Sequence, residues 1–442
     1  MIKDILTLLL FAPLIGWAQW RVTAIPIAHR YDDVFFINQN EGWTVNSRGK
    51  VYKTTDGGEQ WSFNFEADAY LRSIEFATPE LGYIGSLSST IYRTQDGGDT
   101  WVDISDNIPF DITKNGLNYD HVPGACGLSA PSPAVIYACG IWSGEVSYVA
   151  KSLDGGDSWT TYDMTLYATK LVDIMFFNDL EGFAAGTNDD SESDNYGGVI
   201  LHTIDGGETW TTVLSTNVAE DYIWKLQTPD SINIFDSITS LPFANDVRFA
   251  KSTDSGETWD IQKVRDDKWT YIQAIGFKDA LTGWTGGTFQ GETGAETALY
   301  ETNDGGATWQ EIADGTINTF NRIYMFDEQS IFMSGSQVYI YDQEQVIEEE
   351  EALQINEHYH QISASPNPTS HSITLDVSIS PFTRTNLDVF DASGKQVKSI
   401  QSGFLNGGKH QFSVDLSGLK NAVYLIRLHT NEGLNILRVV KK

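Results

Sequence analysis

The chain has little cysteine and little positive charge. Two of its 442 residues are cysteine, and 28 Lys and Arg are outnumbered by 60 Asp and Glu, which gives a formal net charge of −32. So few cysteines exclude a disulfide-rich scaffold, and two thiols with no neighbouring His pair make a metal site at them unexpected. An acidic surface of this kind repels nucleic-acid backbones and anionic membranes, so neither is expected as a partner.

Long apolar runs are also scarce, apart from one at the amino terminus, MIKDILTLLLFAPLIGWAQ. Lys3 precedes the apolar stretch Ile5–Trp17, and Gly16 and Ala18 place small residues before a cleavage point. This run is short for a membrane span and predicts a cleaved secretory signal at residues 1–18. No later segment is apolar enough to be a transmembrane helix, so none is expected.

The two cysteines flank a Pro-containing turn in GACGLSAPSPAVIYACG, between two short apolar runs. Adjacent strands would bring the two side chains together, and the oxidising environment that an exported chain meets would allow them to form a disulfide. The sequence therefore favours a disulfide between Cys126 and Cys139, with two buried thiols as the alternative.

What the chain has in abundance is glycine, tryptophan and a repeated turn. The phrase VYKTTDGGEQW at Val51–Trp61 returns five more times in the form Ser/Thr-x-Asp-x-Gly-x-x-Trp. Successive box aspartates are 40, 58, 51, 49 and 50 residues apart, a spacing typical of four-stranded propeller blades. Six copies in phase indicate a structural role, in which Asp and Gly shape a turn and Trp opens the next strand. The box residues are Asp56, Trp61, Asp96, Trp101, Asp154, Trp159, Asp205, Trp210, Asp254, Trp259, Asp304 and Trp309.

Six boxes close six units, and a seventh unit, Asn321–Asp342, has three strands and no box. Trp20–Ile27 resembles the strand that follows the first box, so we expect it to supply the missing fourth strand. The predicted fold is all-β, with a seven-bladed β-propeller over residues 19–342 that is closed by the N-terminal strand.

The repeats resemble Asp-box (BNR) repeats. Their phrases G-W/Y-x-x-G and T-x-D-G-G-x-T-W are similar to those of seven-bladed propellers related to the photosystem II stability/assembly factor, over roughly Trp20–Asp342. That resemblance implies a non-catalytic binding or assembly scaffold. Asp boxes also occur in sialidases and xyloglucan-cleaving enzymes, so an extracellular sialidase-like or β-glucanase-like hydrolase stays open as the alternative.

A different pattern follows the repeats. Residues 343–361 include the acidic run Glu348–Glu351 and predict a solvated linker, and residues 362–442 alternate like the strands of a small β-sandwich. Pro366–Pro368, Val389–Val397 and Val423–Leu428 resemble motifs of the C-terminal sorting domain of the type IX secretion system. This resemblance implies recognition by that secretion machinery, passage through the periplasm, and a secreted or cell-surface location.

Propellers bind ligands at the central mouth, so residues near the innermost strands form the candidate site for a protein or glycan ligand. The candidate residues are Arg30, Asp33, Arg72, Asp173, Trp224, Lys225, Gln273, Asn321 and Arg322. An inserted loop carries alternating Asp190, Glu192 and Asp194, which predict either a flexible acidic loop or a Ca²⁺ site. No other cofactor and no catalytic residue are expected.

Overall fold

The computed structural model describes most of the chain from Gln19 to Lys442. The described residues are 19–114, 117–140, 146–240, 247–265, 270–291, 294–312, 319–327, 330–342, 361–379, 383–390, 396–405, 408–430 and 433–442. The predicted signal at residues 1–18 and residues 343–360 of the predicted linker lie outside them. In these ranges no helix is long and apolar enough to cross a membrane.

Six antiparallel four-stranded sheets follow one another along the chain, each starting with its innermost strand. Blades one to three contain β2 (Tyr31–Phe36), β3 (Gly42–Asn46), β4 (Lys50–Thr54) and β5 (Ser62–Glu66); β6 (Leu71–Phe76), β7 (Gly82–Ser86), β8 (Ile91–Thr94) and β9 (Val102–Asp103); and β12 (Gly127–Ser129), β13 (Ile136–Gly140), β14 (Tyr148–Ser152) and β15 (Thr160–Asp163). Blades four to six contain β16 (Lys170–Phe176), β17 (Gly182–Asn188), β18 (Gly197–Thr203) and β19 (Thr211–Ser215); β20 (Asp221–Gln227), β21 (Ile234–Ser240), β22 (Val247–Ser252) and β23 (Asp260–Arg265); and β24 (Thr270–Phe277), β25 (Gly283–Gly291), β26 (Gly294–Thr302) and β27 (Gln310–Glu311).

An insertion before blade three explains the longest spacing between boxes. A 3₁₀ turn at Ser105–Asn107 is followed by a hairpin of β10 (Ile112–Lys114) and β11 (Leu117–Tyr119). Ile108, Phe110 and Ile112 of this segment pack into the core between blades two and three. The extra residues therefore add a covering flap and leave the blade count unchanged.

Blade seven takes its outermost strand from the start of the described chain. Its strands are β28 (Phe320–Met325), β29 (Ile331–Gly335), β30 (Val338–Asp342) and β1 (Gln19–Val22). β1 runs antiparallel to β30 with Trp20 opposite Tyr341, which is the pairing that the sequence predicted. Trp20 also meets Trp284 of blade six edge-on, and Phe332 stacks on Phe36 of blade one at 3.6 Å. Blade seven is thus packed against both neighbours.

Stacked aromatic rings join neighbouring blades. Phe76, at the end of the first strand of blade two, stacks on Trp43 of blade one with ring centroids 3.7 Å apart. Phe176 stacks on Tyr137 in the same way at 3.5 Å. The Gly before the next aromatic is required here, because a Cβ on Gly82 would lie 2.5 Å from the Phe76 ring. The recurring Gly-aromatic phrase is therefore a packing signal.

Each Asp box closes its turn with side-chain hydrogen bonds. In the first, the Thr54 hydroxyl donates to Asp56 Oδ1 and accepts from the Gly58 N–H, both at 2.9 Å, while Gly58 adopts φ +87°. From the second box onward, a hydroxyl also donates to the other carboxylate oxygen, at 2.5–2.6 Å. These hydroxyl bonds hold the pKa of Asp96, Asp154 and Asp205 at about 2.

The C-terminal part is a small β-sandwich, as predicted. Its sheets are β31 (Gln361–Ser365), β32 (Ser372–Ile379) and β35 (Gly408–Asp415); and β34 (Gln396–Leu405), β33 (Thr383–Phe390), β36 (Val423–Thr430) and β37 (Gly433–Val440). Leu375 of the first sheet and Leu387 and Ile426 of the second share one buried core. The tail therefore has an apolar core separate from those of the propeller.

The prediction of a disulfide is wrong, because both cysteines are buried thiols. Their strands are adjacent, but Cys139 is opposite Gly127, so Cys126 is one residue out of register. Successive side chains of a strand point to opposite faces of the sheet. Accordingly, Cys126 packs with Trp224, whereas Cys139 packs in the core between blades three and four.

Candidate functional site

The innermost strands of six blades carry a β-bulge at the same position. Each bulge inserts one or two residues that have no partner in the register of the neighbouring strand. The inserted residues are Asp32, Arg72, Val172, Trp224, Lys225, Gln273 and Asn321. The bulge therefore explains why five of the predicted site residues occupy equivalent places around the ring, and why Asp33, Asp173 and Arg322 follow directly.

Four charged side chains meet across the channel axis, and we call them the channel waist. Arg322 in blade seven donates to Asp173 Oδ2 in blade four at 2.9 Å, and its Nε lies 3.5 Å from Asp33 Oδ1 in blade one. Blades four and seven lie on opposite sides of a seven-membered ring, so this ion pair spans the axis. Lys225 in blade five completes the waist, with Nζ 3.9 Å from Asp173 Oδ1.

The waist is largely shielded from water. The side chains of Asp33, Asp173 and Lys225 are buried, whereas Arg322 keeps 22% of its side-chain surface exposed. Burial lowers the pKa of Lys225, and Asp173 opposes that shift. Burial also disfavours the charge on Arg322, but Asp173 and Asp33 outweigh it and raise the pKa of Arg322.

A second polar cluster lies toward the beginnings of the first strands. Arg30 Nε and Arg72 Nη1 each donate to Asp32 Oδ1 at 2.7 Å, and Arg30 also bonds to Gln273 in blade six. Asn321 donates to the carbonyl of Tyr31 at 2.7 Å, which links blades seven and one. The structure thus brings eight of the nine predicted residues into these two clusters, whereas Trp224 packs with Cys126, Val172 and Tyr222. Their binding of a ligand stays a prediction.

Sequence reasoning missed two buried aspartates of this channel. Asp32 accepts hydrogen bonds from both arginines of the second cluster. The bulge that inserts Asp32 between Tyr31 and Asp33 cannot be recognised from the sequence. Asp236 accepts the Lys225 N–H at 2.8 Å, while its Oδ2 has no hydrogen-bond partner among the described residues. Burial raises the pKa of Asp236 well above its usual value. Its position in Ile234–Ile238, a buried strand segment with apolar residues on either side of Asp236 and Ser237, was the available signal.

An axial cavity of about 440 Å³ lies where the innermost strands end, and Asn386 and Thr430 of the C-terminal sandwich also line it. Its wall combines aromatic, thioether, amide and charged groups, including Phe35, Glu75, Met175, Gln227, Arg322 and Tyr324. Arg322 connects the cavity to the waist, and it is the one member of the predicted set among the described lining residues. Glu75 is the one carboxylate among those lining residues.

In the inserted loop of blade four, Asp190 Oδ1 accepts the N–H of Glu192 at 3.0 Å. Across the part of the chain that the structure describes, no three His, Cys, Asp or Glu side chains form a group suited to a metal ion. Binding of Ca²⁺ by Asp190, Glu192 and Asp194 stays a prediction.

Two segments match known families. Residues 13–114 match the family model described as photosynthesis system II assembly factor YCF48, and residues 363–442 match the secretion system C-terminal sorting domain. The chain thus resembles YCF48 in its propeller and carries a segment that matches a C-terminal sorting domain. Comparison with curated protein sequences gave no match.

Solved structures support the fold of this YCF48-like propeller. YCF48 bound to D1 peptide is 17% identical with a TM-score of 0.53, covering 75% of this chain and 99% of that chain. YCF48 from Cyanidioschyzon merolae is 19% identical with a TM-score of 0.52, covering 74% and 99%. A GH74 xyloglucanase from Xanthomonas campestris is 11% identical with a TM-score of 0.54, covering 82% of this chain and 60% of that chain. At these identities the likeness is one of fold.

The C-terminal sorting domain determines the localisation of the YCF48-like propeller. A type IX sorting domain interacts with the type IX secretion machinery and directs export to the cell surface or the extracellular space. The acidic propeller is therefore the exported cargo.

Proposed function

We propose that the exported propeller is a non-catalytic binding module that holds an extended segment of a partner protein in its axial cavity. The observation that carries this proposal is the single carboxylate, Glu75, among the described lining residues. Glycosidases use two carboxyl groups, about 5–10 Å apart, on either side of the scissile bond. The nearby Asp33 and Asp173 are held instead by Arg322 and by backbone N–H groups.

The wall of the cavity suits a polypeptide. Binding sites for small ligands and short segments commonly enclose ~300–1,000 Å³ and combine apolar walls with a few polar groups. Phe35, Met175 and Tyr324 supply apolar surface, and Gln227 and Arg322 supply polar groups. One of the similar structures is YCF48 with a peptide bound, which supports a polypeptide ligand for this chain as well.

The test uses the full chain, a random peptide library, and xyloglucan, sialoside and β-glucan substrates. We expect selected peptides to bind and no substrate to be cleaved. Met175→Trp fills the cavity and should abolish peptide binding, whereas Leu166→Trp adds the same ring at a side chain that is 81% exposed and should leave binding unchanged. Glycan turnover that disappears in Glu75→Gln would establish the hydrolase instead.

A further inference from the structure

The Asp boxes lie on the same face of the ring as the turns between the first and second strands, here called inner turns. In each boxed blade a box N–H donates to an inner-turn carbonyl of that blade, as Gly206 does to Leu180 at 2.7 Å. The axial cavity lies on this face too, because inner-turn residues such as Asn38 and Thr78 line it together with the ends of the first strands and with Asn386 and Thr430 of the tail. We call it the box face.

The same hydrogen bond aligns the blades residue by residue. Its carbonyl acceptors in blades one to six are Asn40, Glu80, Ala134, Leu180, Ile232 and Leu281. The exposed residues before the box aspartates are, in the same order, Thr55, Gln95, Leu153, Ile204, Thr253 and Asn303. At these two positions blades one and two are polar, whereas each of blades three to six carries at least one large apolar side chain.

These apolar side chains face solvent on four consecutive blades, and we call them the apolar arc. Their exposures are 65% for Leu153, 57% for Leu180, 70% for Ile204, 40% for Ile232 and 58% for Leu281. None of them lines the axial cavity. Single exposed leucines need no explanation, but a set confined to one sector of one face indicates an interaction surface.

The turns that carry the apolar arc are acidic, with Lys278 of the blade-six inner turn as their single basic residue. Their acidic residues are Asp154, Asp157, Asp179, Glu181, Asp205, Glu208, Asp230, Asp254, Glu257, Asp279 and Asp304. Nearby basic side chains are engaged between blades: Arg93 donates to the Gly155 carbonyl at 2.8 Å, and Lys251 donates to the Gly305 carbonyl at 3.0 Å. The surface left to a partner is therefore apolar and negative.

We propose that the apolar arc docks a protein whose contact surface combines apolar and basic side chains. Burying exposed Leu and Ile side chains would supply affinity, and basic groups would pair with the surrounding carboxylates and speed association. A second copy is a poor occupant, because both copies would bring the same acidic turns together. The proposal rests on the proposed function and extends it from the cavity to the neighbouring sector of the box face.

The probe is a fluorescent peptide of alternating Lys and Leu, titrated with the full chain and followed by anisotropy. The arc variant is Leu153→Thr, Leu180→Asn and Ile204→Thr, which installs residues that blade one already uses at these positions. The control variant is Asn40→Ser, Thr55→Ser and Gln95→Ser, in the polar sector. Neither variant changes the net charge, so the comparison isolates the apolar contribution.

We expect the arc variant to weaken binding of the Lys/Leu peptide by roughly tenfold and the control variant to leave it unchanged. A Lys/Ser peptide should bind weakly and equally to all three proteins, and raised salt should weaken every complex. Equal affinity of the arc variant and the wild type would overturn the proposal. So would equally tight binding of a Glu/Leu peptide, or a wild-type dimer that the arc variant abolishes. Met175→Trp should retain Lys/Leu binding, which separates this proposal from the cavity proposal.

Discussion

Arg322 of blade seven and Asp173 of blade four form an ion pair across the channel axis, with Nη1 2.9 Å from Oδ2. Each residue is contributed by a different part of the ring, so the pair exists only when the ring is assembled. Together with Asp33 and Lys225 it occupies the centre of the channel and separates the axial cavity from the cluster around Asp32.

We expect Arg322→Met to lower the free energy of unfolding of the propeller by about 3 kcal/mol, because it leaves Asp33 and Asp173 buried without their shared cation. Urea unfolding followed by tryptophan fluorescence measures this directly, since all 13 tryptophans precede the tail. Glu59→Gln is the control: its pair with Arg21 is 57% and 38% exposed, and such surface pairs contribute less than ~1 kcal/mol. Equal losses in the two variants would contradict the role of the waist.

Asp236→Asn should stabilise the propeller at pH 8 and have little effect at pH 4. The pKa of Asp236 is raised in the folded chain, so above the usual aspartate value the unfolded chain ionises first. The ionisation of Asp236 therefore lowers the free energy of unfolding of the wild type by an amount that grows as the pH rises from about 4. The neutral amide of Asn removes this penalty. Urea midpoints at both pH values test this, with exposed Glu257→Gln as the control; a stabilisation that is equal at both pH values would refute it.

Thr209→Val should make the propeller more sensitive to acid. The Thr209 hydroxyl donates to Asp205 Oδ2 at 2.6 Å and is the main cause that lowers the Asp205 pKa to about 2. A lowered pKa gives stability that is complete above the usual aspartate value and is lost as the pH falls toward 2. Without the hydroxyl, this contribution is smaller and is already exhausted at a higher pH, so the propeller is less stable in acid and the acid-unfolding midpoint should rise. Exposed Thr160→Val serves as control, and an unchanged midpoint in Thr209→Val would exclude this coupling.

Both cysteines should titrate as thiols. We expect no reaction with a thiol reagent in the native chain, because Cys126 and Cys139 are buried, and two reactive thiols per chain after unfolding without reductant. A reductant should leave the urea midpoint unchanged. Absence of thiols in the unfolded chain, together with a midpoint that depends on reductant, would restore the disulfide.

The sequence predicted the repeated blades, but it did not predict the side-chain contacts across the channel. The spacing of Asp56 and its five counterparts located the blades, and the likeness of Trp20 to the residues after a box located the closing strand. The repeat spacing does not indicate which side chains meet across the channel, so the ion pair of Arg322 with Asp173 could not be predicted from it. The register offset that separates Cys126 from Cys139 depends on one residue of strand alignment, which spacing does not fix.

The pairing of Trp20 with Tyr341 also limits when the ring can close during folding. The first strand has no partner until the last blade has been made, so the final closure joins chain segments at the maximum sequence separation available within the propeller. Contacts of such high order form slowly and are the natural place for the ring to open. A partner or transporter that met the chain before closure would encounter a linear array of sheets with two unpaired edges.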